Sequence, residues 1–367
     1  MTKLHQLHEL GQSTWLNYMR RRFIQSGGLR DCLAEGIQGV TANAEVFVDT
    51  ISNHTDYDRD IQREVRAGTP TARIHEALMV DDVQRAADLL HPIFEESEGL
   101  NGFASLELDT AITTEIVKTV ATARHLLNRI DRGNAMVEIP ASREGVNAMR
   151  ELTADGISVN ATHIFSISVF ERVAQAYIAG LETFFDTHSV WRIAPTAVAS
   201  YSISAVDHAV DKALAAINRP ALIGKTGIAT AHLLYARFQE IFSGPRWEQL
   251  ARRGGRKLRP KWTRIFPDDS IYATTYYVDQ LIGADTVVTF TPRTLNAFLE
   301  KGIVEQTIAK DLEQAQEQVH ALTKSGIDLE GMMEDLQRHY LDVSEKQYRA
   351  LVRSVVSKLY VEAPASS

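Results

Sequence analysis

The chain has 367 residues, of which 44% are hydrophobic and 23% are charged, and its formal net charge at pH 7 is −8. These fractions are typical of a globular protein with a large core, and they argue against intrinsic disorder. The acidic net charge argues against a general nucleic-acid-binding surface, which requires clustered lysines and arginines. One basic run, residues 252–259, contains two glycines and is interpreted as a solvated loop.

Cys32 is the only cysteine, so the chain can form neither an intrachain disulfide nor a zinc site built from paired cysteines. A single thiol favours a reducing compartment. No apolar run approaches the roughly 20 residues of a membrane-spanning helix, and the polar N-terminal segment lacks the apolar stretch of a secretion signal. We therefore expect a cytoplasmic protein that binds a small molecule and neither nucleic acid nor membrane. A homodimer is an open alternative for its assembly.

Short apolar or β-branched segments alternate with longer amphipathic ones from end to end. Helices are predicted over residues 110–130, 143–154, 168–184, 205–217 and 226–241. Strands are predicted over residues 14–18, 37–41, 103–108, 135–139, 157–164, 197–203, 257–264 and 286–289. Eight strand–helix repeats predict an α/β fold, a (β/α)₈ TIM barrel with additional N- and C-terminal helices. An open doubly wound sheet is the alternative, but no G-x-G-x-x-G motif opens a helix here.

Local signals support these boundaries. Ser142 and Ser166 each precede a predicted helix at the N-cap position. Gly156 follows the helix before the fifth strand, where a left-handed C-terminal residue is favoured. No long linker divides the chain, so residues 1–367 are predicted to form one domain. Residues 303–362 are expected to form a helical extension packed on the outside of the barrel or in a subunit contact.

Functional residues of such a barrel lie where its strands end. At the ends of the first six predicted strands, alternate residues are expected to point inward, and they carry amides, hydroxyls and two carboxylates. They are Asn17, Thr41, Asn43, Glu107, Glu138, Asn160, Thr162 and Ser200 to Ser204, including Ser202. An apolar core does not tolerate such a cluster without a purpose. Glu107 and Glu138 stand out because each interrupts an apolar strand. His163 is expected to point away from the barrel axis, since it alternates with Thr162.

Several segments keep one order and spacing along nearly the whole chain, among them LHELGQSTWLNYMRR, GIQGVTANAEVF, NAMVEIPASREGVNAMRELTADGISVNATHIFS and YYVDQLIGADTVVTFTPRTLNAF. In these segments the sequence resembles the transaldolase family, in its long bacterial branch. The resemblance implies a cytosolic pentose-phosphate enzyme that moves a three-carbon dihydroxyacetone unit between sugar phosphates. It also implies a lysine that forms a Schiff base, a Glu and an Asp that handle protons, and an Arg that binds phosphate.

The sequence departs from the family pattern at the positions that carry this chemistry. Glu138 stands where the family has its Schiff-base lysine in a segment like IKIPAT, and Asn17 stands where it has the acid of WLDY. Ala205 replaces the phosphate-binding arginine that follows the sixth strand. Glu107 matches the family's catalytic glutamate.

Other positions bear on the pocket. The resemblance implies that a further group lines it: Thr41, Asn43, Asn160, Thr162 and Ser166. The family's WAST segment after the seventh strand is here WTRI, so Trp262 and Arg264 are added as candidate substrate-binding residues. Ser200 and Ser202 complete that group.

Because a carboxylate cannot form an imine, the leading hypothesis is a barrel enzyme that has lost transaldolase activity. Adjacent strands lie about 4.8 Å apart, so Glu107 and Glu138 are expected to approach closely and to leave one protonated acid beside one ionised base. With Asn17 they would catalyse proton transfer, dehydration or cyclisation of a small metabolite, with specialised metabolism as the expected setting and no cofactor.

Three alternatives stay open. The first is a pseudoenzyme that binds sugar phosphates. The second is a transaldolase-type lyase or transferase with a relocated lysine, for which Lys261 and Lys225 are the candidates. Neither position is predicted to project into a desolvated pocket, as a lowered pKa requires. The third is a Mg²⁺-dependent enzyme acting on a diphosphate, with the two glutamates and Asn17 or Asn160 as oxygen ligands.

Overall fold

The computed structural model describes residues 2–188, 193–267 and 272–359. Eight parallel strands pair in chain order, and the last pairs with the first to close a barrel. This arrangement confirms the predicted (β/α)₈ fold. The strands are β1 (Gln12–Asn17), β2 (Gly39–Ala42), β3 (Phe103–Glu107), β4 (Ala135–Pro140), β5 (Val159–Ile164), β6 (Ala197–Ser202), β7 (Arg259–Thr263) and β8 (Thr286–Phe290).

Helices surround the barrel and fill its connections. They are α1 (Lys3–Glu9), α2 (Arg21–Gln25), α3 (Gly28–Glu35), α4 (Ala44–Asn53), α5 (Asp58–Arg66), α6 (Thr71–Glu96), α7 (Ile116–Ile130), α8 (Arg143–Ala154), α9 (Ile167–Thr187), α10 (Ile203–Ala216), α11 (Thr226–Ile241), α12 (Pro245–Arg252), α13 (Tyr276–Gln280), α14 (Pro292–Lys301), α15 (Leu312–Lys324) and α16 (Leu329–Leu359). No helix of the described residues combines the length and apolar character needed to cross a membrane.

Most helix boundaries agree with the sequence signals. Ser142 caps α8 by accepting a hydrogen bond from the Gly145 amide at 3.1 Å, and Ser166 caps α9 through the Val169 amide at 3.3 Å. Gly156 follows α8 with φ of +84°, the left-handed conformation that glycine adopts without steric cost. These three residues therefore fix where two of the βα units turn back towards the barrel.

Three predicted boundaries were wrong. The predicted helix over 110–130 is interrupted, because Asp109 caps a 3₁₀ turn at Thr110–Ile112 and α7 begins only at Ile116. Ser204 lies in α10 and not on the sixth strand, which ends at Ser202. Residues 303–311 precede α15 without forming a helix. Residues 360–362 of the predicted extension lie outside the described residues.

The amino-terminal half of the barrel interior is apolar and closely packed. One cluster of buried side chains fills it: Trp15, Phe103, Met136, Val198 and Val287. This layer forms the floor on which the polar residues of the upper half rest.

Arg259 closes the barrel below that floor. Its guanidinium donates to Ser13 at 2.7 Å, to Asn101 at 3.0 Å and to the carbonyl of Leu100 at 2.6 Å, and only 3% of the residue is exposed. The interpretation of residues 252–259 as a solvated loop was therefore wrong at its last residue. Arg259 is the first residue of β7, where strand alternation turns it inward.

The C-terminal helix α16 reaches the mouth of the barrel. It packs against α4, α5, α6 and α10, and its residues Tyr340, Ser344 and Gln347 lie at the carboxyl ends of the strands. The sequence analysis expected this extension to pack on the outside of the barrel or in a subunit contact; α16 packs on outer helices, and it also reaches the cavity mouth, which was not predicted. A helix distant in sequence thus forms part of the site.

A buried charge network joins α2, α5 and α6. The Arg21 guanidinium, 1% exposed, donates to Asp82 at 2.7 Å and also pairs with Asp60. Asp82 is fully buried and accepts a second hydrogen bond from the Tyr57 hydroxyl at 2.5 Å. Removing the arginine would leave a buried carboxylate without its counter-ion.

Replacing Arg21 by methionine is therefore expected to lower the free energy of unfolding by about 3–5 kcal/mol, as found when one partner of a buried ion pair is removed. Urea denaturation followed by circular dichroism measures this loss. The matched change Lys118→Met breaks an exposed pair with Glu115 and should cost under about 1 kcal/mol. Equal stabilities of the two variants would contradict the assignment.

Candidate active site

A cavity of about 310 Å³ opens at the carboxyl ends of the strands. The sequence analysis predicted many of its lining residues, and the fold brings these together there: Asn17, Thr41, Asn43, Glu107, Glu138, Thr162, Ser200, Ser202 and Arg264. Asn43 has a second role, since its side chain also caps α4 through the Val46 amide at 3.1 Å. The cavity is polar and lies where (β/α)₈ enzymes carry their active sites.

The two glutamates are direct neighbours across the β3–β4 pairing. Glu107 accepts a hydrogen bond from the Ala44 amide at 3.1 Å, and the Thr41 hydroxyl donates to Glu138. Burial, together with the nearby charge of Glu138, raises the pKa of Glu107 to about 8. Glu107 is therefore largely protonated at neutral pH and can donate a proton.

Lys261 reaches into the cavity from β7. It shares the inward face of that strand with Arg259 and Thr263. The residue lines the cavity and is only 1% exposed. Burial lowers the pKa of Lys261 to about 8, although the charge of Glu138 acts in the opposite direction. The expectation that this lysine does not project into a desolvated pocket was wrong. A pKa of about 8 leaves about a tenth of the amine uncharged at pH 7, far more than an ordinary lysine would have.

Lys225, the other candidate for a relocated lysine, lies outside the cavity. Its ammonium donates to the carbonyl of Ala221 at 2.8 Å on an exposed surface, at the start of α11. It does not line the barrel cavity. Lys261 is therefore the better placed of the two candidate lysines.

Three predicted substrate-binding residues do not line the cavity. Asn160 is fully buried, and its side-chain oxygen accepts from the Ser200 hydroxyl at 2.7 Å. Ser166 caps α9 instead. Trp262 points out of the barrel and packs edge-on against Tyr201, because it alternates with the inward Lys261. Asn160 still contributes indirectly by orienting Ser200.

Arg264 lies at the rim, just after β7. Its guanidinium carbon is 4.6 Å from the centre of the Tyr340 ring of α16, a cation–π distance. None of the described carboxylates forms an ion pair with it. This arrangement leaves a positive group at the cavity mouth, held in place by the C-terminal helix.

His163 also faces the mouth, contrary to the expectation from strand alternation. The β5–β6 register shifts between Ala161 and Ile164, and His163 has φ of +56°. Its ring forms a hydrogen bond with the Ser344 hydroxyl at 3.1 Å. Burial, together with the charge of Arg264, lowers the pKa of His163 to about 4. His163 is therefore neutral at physiological pH.

Several lining residues were not predicted at all: Glu45, Thr263, Phe266, Thr289, Thr291, Tyr340, Ser344 and Gln347. Among the described residues, Asn17 Oδ1 and Thr289 Oγ1 are buried without a hydrogen-bond partner. Buried polar atoms are normally paired, so these two fit a ligand that carries hydroxyl groups. Within the described ranges no three His, Cys, Asp or Glu side chains are placed to hold a metal ion.

Comparison with known proteins agrees with this architecture. The Transaldolase/Fructose-6-phosphate aldolase family matches residues 14–355. A protein named Transaldolase from Saccharopolyspora erythraea is 36% identical over 98% of both chains. One named Transaldolase 2 from Nostoc punctiforme is 32% identical over 98% of both chains, and a Transaldolase from Thermobifida fusca is 34% identical over 97% of this chain and 98% of its own.

These relatives correct the leading functional hypothesis. The prediction of an enzyme that has lost transaldolase activity and performs acid–base chemistry in specialised metabolism was wrong, because curated relatives over nearly the whole chain are named transaldolases. The comparisons support a transferase of carbohydrate metabolism, and they give no support to a lyase.

Proposed function

Because the chain belongs to the Transaldolase/Fructose-6-phosphate aldolase family, we propose that it is a transaldolase whose Schiff base forms on Lys261. The observation that carries this proposal is a buried amine in a cavity that also holds two carboxylates. The resemblance to the family places its lysine at Glu138, on β4. Lys261 supplies an amine to the same cavity from β7.

Imine formation needs an uncharged amine and an acid. Lys261, with a pKa near 8, provides the free amine that attacks the carbonyl carbon C2 of a ketose. As the carbinolamine forms, one proton passes from the amine nitrogen to the C2 oxygen, which becomes a hydroxyl. Glu107 then protonates this hydroxyl, which leaves as water. The result is a protonated imine, which draws electrons from the neighbouring carbon–carbon bond.

Cleavage and transfer follow from that electron demand. Glu138 accepts the proton of the C4 hydroxyl, the C3–C4 bond breaks, and an aldehyde departs while the three-carbon unit remains as an enamine on Lys261. An acceptor aldehyde then re-forms the bond in the reverse sense and takes the proton back from Glu138. Water finally adds to the imine and releases the extended ketose and the free amine.

Polar groups around the amine fit this substrate. Asn17 Oδ1 and Thr289 Oγ1, unpaired among the described residues, are placed to bind hydroxyl groups of the three-carbon unit. The helix α16 covers part of the mouth and limits the access of water to the enamine. Restricted water favours transfer to an acceptor over simple release.

Arg264 is proposed to bind the substrate phosphate. The residue matched to the family's phosphate arginine is Ala205, which cannot do so. Arg264 presents a guanidinium at the rim of the same cavity, and guanidinium groups bind phosphate through paired hydrogen bonds.

Transfer can be tested with ¹³C-labelled fructose 6-phosphate and an aldose phosphate acceptor, with NMR used to detect labelled carbons in the product. The wild-type enzyme is expected to move the three labelled carbons to the acceptor. The Arg264→Met variant should raise KM for the phosphorylated donor about 10- to 100-fold, since a charged hydrogen bond contributes about 1.5–3 kcal/mol. Unphosphorylated fructose is the control donor, whose KM should not change. An absence of labelled product with the wild type would overturn the proposal.

A further inference from the structure

The indole ring of Trp15 faces the amine of Lys261, the proposed nucleophile. The Lys261 Nζ lies 4.7 Å from the centre of the Trp15 ring, and Trp15 is fully buried. Among the described residues, no side chain or carbonyl forms a hydrogen bond or ion pair with Nζ. The indole face is therefore the specific contact of this amine in the described structure.

From this geometry we propose that Trp15 is a positioning residue for Lys261, whose indole face holds the ammonium at the floor of the cavity before the ketose binds. The inference deepens the proposed function and rests on it for its catalytic meaning. A cation over an indole face is attracted by the electron-rich ring, most strongly where water is excluded.

The indole is held firmly in this position. It rests on the apolar floor formed with Phe103, Met136, Val198 and Val287. On one side it lies against Gly39 of β2, where an added Cβ would come within 2.6–2.7 Å of three indole atoms. Such a distance is sterically forbidden, so any side chain at position 39 would displace the ring.

The contact has a defined effect on protonation. Attraction to the ring stabilises the charged amine, so losing the ring lowers the pKa of Lys261. Other ionisable groups that line the cavity are Glu45, Glu107, Glu138, His163, Arg264 and Tyr340. Glu138 acts on Lys261 in the same direction as the indole, and none of these groups is altered when Trp15 is replaced.

The test measures the pKa of Lys261 directly, in protein labelled with ¹³Cε-lysine, with the Lys261→Met variant assigning the resonance. Trp15→Leu is expected to lower this pKa by about half to one unit, and Trp15→Phe by less, because a phenyl face attracts a cation more weakly. The matched control is Trp262→Leu, which removes a buried indole from the outer face of β7, the strand that carries Lys261. This change should leave the pKa of Lys261 unchanged.

Gly39→Ala gives an independent variant, since it displaces the indole without removing it and should lower the pKa in the same direction. The pH dependence of imine formation should shift with the measured pKa in each variant. An unchanged or higher Lys261 pKa in both Trp15→Leu and Gly39→Ala would overturn the inference. The NMR titration needs no catalysis, so this outcome is distinct from a failure of the transaldolase proposal, which would appear as an absence of transfer.

Discussion

The Lys261→Met variant is expected to lose transaldolase activity, with kcat/KM falling on the order of 10⁴-fold or more. Methionine has a similar length and fills the same buried position, but it has no amine that can form an imine. Every step of the proposed reaction passes through that bond. The loss is measured by the transfer of label from ¹³C-fructose 6-phosphate to the acceptor.

The matched control is Lys225→Met, which removes an exposed lysine outside the cavity and should leave kcat/KM unchanged. Circular dichroism of both variants checks that the barrel is intact. Activity within about tenfold of the wild type in a folded Lys261→Met variant would show that the amine comes from elsewhere.

Replacing Glu107 by glutamine is expected to reduce kcat by about 10²- to 10⁴-fold, the range typical of a lost general acid. Glutamine keeps the size of the side chain and the oxygen that accepts the Ala44 amide. It cannot supply the proton with which the C2 hydroxyl leaves. The effect is measured in the same transfer assay, with the exposed Glu300→Gln as control.

The pH profile separates this role from a structural one. In the wild type, activity should rise through about pH 8 as Lys261 loses its proton and fall as Glu107 loses its proton in the same range. The resulting profile is bell-shaped. Glu107→Gln should retain only the rising limb. A bell-shaped profile in that variant would contradict the assignment of Glu107 as the acid.

The fold could be predicted from the sequence because its signals are local. Short β-branched strands, amphipathic helices and caps such as Ser142 and Ser166 each act within a few residues. The polar residues at the strand ends were identified for the same reason, since Glu107 and Glu138 interrupt apolar runs. The barrel then brings these ends together without further information.

The site was less predictable where one-residue differences decide the direction of a side chain. Lys261 and Trp262 are neighbours in β7, and the sequence analysis assigned the tryptophan to the pocket and not the lysine. The irregular β5–β6 pairing similarly turned His163 towards the mouth. Tyr340 and Ser344 could not be assigned from local patterns, because their position depends on how α16 crosses the barrel.

The interpretation of Glu138 shows how a single position influenced the functional prediction. A carboxylate at the position of the family's lysine made the loss of the Schiff base the leading hypothesis and left a relocated lysine as an alternative only. A barrel, however, presents inward positions from eight strands, and a lysine on any of them can reach the centre. Lys261 lies inward between Ser200 of β6 and Val287 of β8.

Borohydride reduction in the presence of fructose 6-phosphate tests the covalent step most directly. Reduction of the imine would leave a stable three-carbon adduct on the protein, and proteolysis with mass spectrometry would identify the modified residue. We predict a single modified peptide that carries the adduct on Lys261. A protein that turns over the substrate and yields no adduct, or carries it on another lysine, would contradict the assignment.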